Sequence, residues 1–238
     1  MKRITKYNPL VLLGIGLVLM VLLGSCDTIT GFFSKSWGSG LARDLAKLLP
    51  PITAKNAEDL ANDTAGDPNR AKIVAEKIRE ALEKATDPAE KAALLRAGLI
   101  AANNASDLIT VMMGNIDTFS DPTTTTVGTV LGKVQEAGNL QDNAQLVSGL
   151  LDAAGPETSL AGVSQDSLVL AAATLLLADA QENDYTDPTT QEEYLDTFKE
   201  KKADETSLTT KQKQAITLAA AAANKDGALK EVLGYLNL

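Results

Sequence analysis

The sequence predicts an all-α protein, built as a multi-helix bundle or a short helical-repeat array. Three observations lead there. Four Asp-Pro dipeptides punctuate the chain: Asp67-Pro68, Asp87-Pro88, Asp121-Pro122 and Asp187-Pro188. Each pairs a capping carboxylate with a proline whose φ is already set for a first helical turn. Apolar residues downstream of these dipeptides recur at helical spacing. β-Branched alternation is nearly missing and aromatic residues are 4% of the chain, which leaves little from which to build a sheet.

In chain order, the first segment differs from the rest. Lys2, Arg3 and Lys6 precede an apolar run from Leu10 to Leu23, interrupted only by Gly14 and Gly16, and the small residues Gly24 and Ser25 lead to Cys26. These are the three parts of an export signal. As a helix the run spans roughly 21 Å, short of the ~30 Å hydrocarbon core, so a membrane-spanning anchor is the poorer reading.

The stretch Leu23-Gly24-Ser25-Cys26 resembles the lipobox of bacterial lipoproteins. That resemblance implies removal of residues 1–25, a diacylglycerol on the sulfur of Cys26 and an acyl chain such as palmitate on the new amino group. Several acyl chains on one residue hold a protein at a bilayer stably, whereas one does so only marginally. The expected address is the exported face of a bacterial membrane, periplasmic or outer. Asp27 matches a residue that favours inner-membrane retention in enteric bacteria.

Residues 26–40 read as a tether. It contains Phe32, Phe33 and Trp37 among Gly31, Gly38 and Gly40, and its aromatic rings are expected to pack on the first helices. Residues 41–238 are the helical domain. After Pro68, Ile73, Val74, Ile78 and Leu82 form an apolar stripe opposite Lys72, Glu76, Lys77 and Glu80. After Pro88 come Ala92, Leu95, Leu99 and Ala102, then Leu108, Val111, Met112 and Ile116. Glu90, three residues after Asp87, suggests a near capping box. From Leu168 to Ala178 only Thr174 is polar, which predicts a helix buried on most sides. The run Leu218 to Ala223 favours helix by propensity. Loops are expected near Gly66, over Thr118 to Thr126, over Gly155 to Gly162, and over Asn183 to Asp187.

An offset of 120 residues aligns 67–116 with 187–236 without a gap and gives nine identities over fifty positions. Asp67-Pro68 meets Asp187-Pro188, Val74 meets Tyr194, Ile78 meets Phe198, and Met112 meets Val232. Asp87 meets Ser207, both of them residues able to cap a helix. These two segments are read as duplicated helical units, each pairing a charged helix with an Ala-rich one. Residues 60–116 resemble tetratricopeptide-type hairpins in architecture only. The ~34-residue period and signature positions of that family are not satisfied, so no functional residues carry over.

Composition removes many mechanisms. Histidine is absent and Cys26 is the only cysteine. Ser-His-Asp and Cys-His catalysis and histidine-ligated metals are therefore excluded. No phosphate-cradling glycine motif is present. Without residues 1–25 the chain keeps 19 Lys and Arg against 31 Asp and Glu, a balance that repels nucleic acid. The acidic loop from Glu182 to Glu193 has partial EF-hand spacing. However, Asp187 stands where glycine is needed and Thr186 is a poor ligand, so it reads as a solvated link. No catalytic residue, metal site or cofactor is expected.

Cys26 is the one predicted site residue, as the point of lipid attachment. The expected function is a non-catalytic scaffold or protein-binding module at the cell envelope, held to the membrane by lipid and engaging a protein partner there. The alternative is an accessory lipoprotein for solute binding and uptake, with a small-molecule pocket between helical units.

Overall fold

Two of the four Asp-Pro aspartates, Asp67 and Asp87, lie among the described residues, and both cap helices as the sequence suggests. Asp67 accepts a hydrogen bond from the Arg70 amide at 3.0 Å, and Asp87 accepts from Ala89 and Glu90 at 2.6 and 3.1 Å. In each case proline opens the helix. A computed structural model describes residues 49–106, 108–113, 139–185 and 188–236. Residues 1–25, Cys26, the 26–40 tether, Asp121-Pro122, Asp187 and the Thr118–Thr126 loop lie outside these.

The described residues form helices α1 (Ala57–Asn62), α2 (Pro68–Leu82), α3 (Pro88–Asn104), α4 (Leu108–Met113) and α5 (Leu140–Ala154). They continue with α6 (Gln165–Glu182), α7 (Pro188–Lys201), α8 (Thr210–Ala222) and α9 (Lys230–Tyr235), with a 3-10 turn at Glu205–Ser207. Among the described residues there is no strand, and no helix is long and apolar enough to cross a membrane. The fold is all-α.

Two helices organise the packing. α3 packs on α1, α2, α5 and α6, while α6 packs on α5, α8 and α9. The stripe on α2 seats Val74, Ile78 and Leu82 fully in the core, together with Ala71 and Ala75. α6 is buried without interruption from Leu168 to Ala180, and each leucine so buried contributes roughly 1.5–3 kcal/mol. Its one mid-helix hydroxyl, Thr174, is satisfied by donating to the Leu170 carbonyl at 2.8 Å.

Side chains of neighbouring helices also reach carbonyls of α6. Asn103 donates to the Ser167 carbonyl at 3.1 Å, and Gln141 donates to the Ala178 carbonyl at 2.8 Å. Ion pairs on the surface join α2 to α5 (Lys72–Asp142, 2.8 Å), α1 to α3 (Glu58–Arg96) and α6 to α8 (Glu182–Lys211). Exposed pairs of this kind contribute little each.

Under the 120-residue offset, α2 and α7 both start at the proline, and the buried pairs Val74/Tyr194, Ile78/Phe198 and Met112/Val232 coincide. The packing differs. α3 packs extensively on α2, whereas α8 packs chiefly on α6. Ser207 is not the cap of the helix that follows it, because it lies in the 3-10 turn. The cap is Thr209, which accepts from the Gln212 amide at 3.2 Å while Gln212 accepts from the Thr209 amide at 3.0 Å. This reciprocal arrangement satisfies two orphan donors at once, which a lone Ser207 could not.

Candidate functional site

Two constellations stand out once the helices are placed. The first is buried. Asp179 ends the apolar run of α6 with 2% of its surface exposed. It accepts hydrogen bonds from the Tyr194 hydroxyl at 2.7 Å, the Thr209 hydroxyl at 2.7 Å and Gln212 Nε2 at 3.0 Å. Gln212 Nε2 also donates to the Tyr194 hydroxyl oxygen at 3.2 Å. One carboxyl group thus ties α6 to α7 and to the first turn of α8. Tyr185 stacks at a tilt on Tyr194, with ring centroids 5.4 Å apart. The arrangement closes on itself around polar groups that are all used, so its chemistry is structural.

Burial pushes the Tyr194 phenol well above the ordinary tyrosine range; the hydrogen bond from Gln212 opposes this, and the hydrogen bond to Asp179 and its negative charge add to it. The folded state therefore favours the protonated phenol. The stability this gives is complete below the unfolded tyrosine value of about 10 and is lost as pH rises beyond it. Tyr194→Phe is expected to flatten the alkaline decline in stability above pH ~10. Urea midpoints measured across alkaline pH check this; an unchanged decline would remove Tyr194 as its cause.

The second constellation is an open cleft of about 390 Å³ where α3, α5 and α8 meet the loop after α5. α5 ends at Gly155, whose φ of +81° turns the chain away in a conformation that suits glycine. The loop so launched carries Pro156, Thr158 and Leu160 along one wall, and Leu95 and Leu151 form the floor. Asp152, Lys213, Gln214 and Thr217 supply the polar edge. The loop is fastened from the far side by Lys225, whose ammonium donates to the Ala161 and Val163 carbonyls at 2.6 and 2.8 Å.

A smaller groove of about 220 Å³ between α2 and α5 is polar and is bridged by the Lys72–Asp142 pair. Cys26, the predicted lipid site, lies outside the described residues. In the acidic loop, Glu182 is engaged by Lys211 and Glu193 is exposed, while Thr186 and Asp187 lie outside the described residues. Among the described residues no group of three or more His, Cys, Asp or Glu is placed to hold a metal.

Sequence reasoning did not single out Asp179 or the cleft residues. A carboxylate closing a long apolar run was a readable signal for Asp179. Asp152 and Gln214 had none, being 62 positions apart and joined only by a hydrogen bond of 2.9 Å. No family model, curated protein or solved structure matches the chain.

Proposed function

We propose that this protein is a non-catalytic binding module of the bacterial cell envelope, attached through lipid on Cys26, that holds a small ligand in the α3/α5/α8 cleft. The observation that carries this reading is the cleft itself. Its ~390 Å³ falls within the range of small-molecule sites, and its lining is apolar with a few polar groups at one edge. A protein scaffold would instead present a flat apolar patch or an open groove between stacked helices. The lipobox-like stretch supports the address, and the acyl chains would supply the attachment that an acidic surface cannot.

One factorial experiment tests both halves. Wild type, Cys26→Ala and Thr217→Trp are expressed at full length with labelled palmitate, and their melting is followed against a panel of small molecules. Thr217 is exposed at the cleft edge, so an indole there fills the cleft without disturbing the core. The wild type is expected to carry label and to be stabilised by panel members. Cys26→Ala should lose the label and keep the stabilisation, and Thr217→Trp should do the reverse. Label retained by Cys26→Ala overturns the anchor, and equal stabilisation of Thr217→Trp overturns the cleft.

A further inference from the structure

We infer that the cleft selects small aliphatic molecules bearing a hydrogen-bond donor, an alcohol or an amine, over carboxylates of the same size. This rests on the binding reading above and adds the chemistry of the ligand.

Thr158 donates its hydroxyl proton to the Ala154 carbonyl at 2.6 Å, and Thr217 donates its own to the Lys213 carbonyl at 3.0 Å. A hydroxyl has one proton and two lone pairs, so both threonines are left as acceptors. Gln214 adds a third. Its Nε2 donates to Asp152 Oδ1 at 2.9 Å. Because an aspartate oxygen only accepts, this contact fixes which end of the amide is nitrogen. The opposite end, Oε1, is buried and has no hydrogen-bond partner. A buried acceptor without a partner is costly, and a turn of the Gln214 side chain that presents Oε1 to a ligand donor in the cleft would recover that cost.

Charge points the same way. Lys213 is exposed and shares the cleft edge with the opposite charge of Asp152. At long range the chain's net charge of −9 disfavours an approaching anion. Leu95, Leu151, Pro156 and Leu160 provide the apolar wall, and none of the described residues lining the cleft is aromatic. An aliphatic body therefore suits it better than a flat ring that needs a stacking partner.

The test uses the full chain in lipid nanodiscs, with empty nanodiscs as blank, titrated calorimetrically with adamantanemethanol, adamantylamine and adamantanecarboxylate. The three probes share one apolar cage and differ only in the polar group. The alcohol and the amine are expected to bind about tenfold or more tighter than the carboxylate. The double variant Gln214→Met/Thr217→Val removes two acceptors at nearly constant bulk, and should shrink that preference to about threefold or less.

A carboxylate that binds as well as the alcohol overturns the inference, as does a preference that survives in the double variant. Binding of the amine alone assigns selectivity to the Asp152 charge and overturns the acceptor argument. Equal binding of all three probes that is lost in Thr217→Trp overturns donor selection while leaving the cleft as the site. Failure of every probe to bind, or equal binding to Thr217→Trp, overturns the cleft and this inference together.

Discussion

Asp179→Ala is expected to lower the unfolding free energy by about 3 kcal/mol, the cost of stranding buried donors around the vacated site. The Thr209 and Tyr194 hydroxyls lose their acceptor outright, whereas Gln212 Nε2 keeps the Tyr194 oxygen at 3.2 Å. Each stranded donor costs roughly 1–3 kcal/mol. Part of this is returned because a negative charge no longer has to be buried. Loss of the tie also frees the first turn of α8, where Thr209 and Gln212 cap each other. Asp179→Asn keeps the volume and one acceptor but turns an NH₂ toward either the Thr209 hydroxyl or the Tyr194 and Gln212 pair, so an intermediate loss is expected. Urea unfolding followed by circular dichroism measures both. A loss below about 1 kcal/mol for the alanine variant would show that desolvating the charge cancels what the hydrogen bonds contribute.

The second large effect is at Gly98, in the middle of α3. A Cβ built there would lie 2.5 Å from Leu150 Cδ2, 3.1 Å from Leu150 Cδ1 and 3.3 Å from Ile78 Cγ2. Leu150 and Ile78 are both fully buried, so neither can swing into solvent. The missing side chain lets α3 approach α5 and α2 together. Gly98→Val is expected to cost about 3 kcal/mol through overpacking. Gly98→Ala should cost about 1 kcal/mol net, since alanine returns roughly that much in helix propensity. Making space on the facing helix supplies the control. In a double-mutant cycle, Gly98→Val combined with Leu150→Ala should be less destabilising than the sum of the two single changes. Additive losses would mean that the strain is relieved by backbone movement and not at Leu150.

These two sites mark the limit of what the sequence allows. Helix starts are local chemistry, and Asp67-Pro68 and Asp87-Pro88 could be read from adjacent residues. The burial of α6 follows equally from its unbroken apolar run. Thr209-x-x-Gln212 is readable too, whereas the 120-residue offset points to Ser207 by aligning it with Asp87. Partner choice was not legible. Nothing in the alanine-rich character of α8 says that it packs on α6 in preference to α7, because alanine faces are interchangeable as close-packing surfaces. α5 carries Leu140, Ala144, Val147, Leu150 and Ala154 on its buried side, a helical period that no Asp-Pro announces. The cleft was beyond reach, since its floor, loop and edge come from α3, α5 and α8, and only the packed fold brings them together.

That dispersal has a consequence in time. As a chain grows from its N-terminus, Leu95 is made first, Leu151 and the Gly155–Leu160 loop follow, and Thr217 and Lys225 come last of these. Early segments can already pair, because α2 and α3 are neighbours in sequence and need little loop closure. The cleft has no such head start. A chain halted before α8 has a partial core, only Asp152 of the polar edge and an unfastened loop. The whole cleft is therefore assembled in a single late step, when α8 joins α3 and α5.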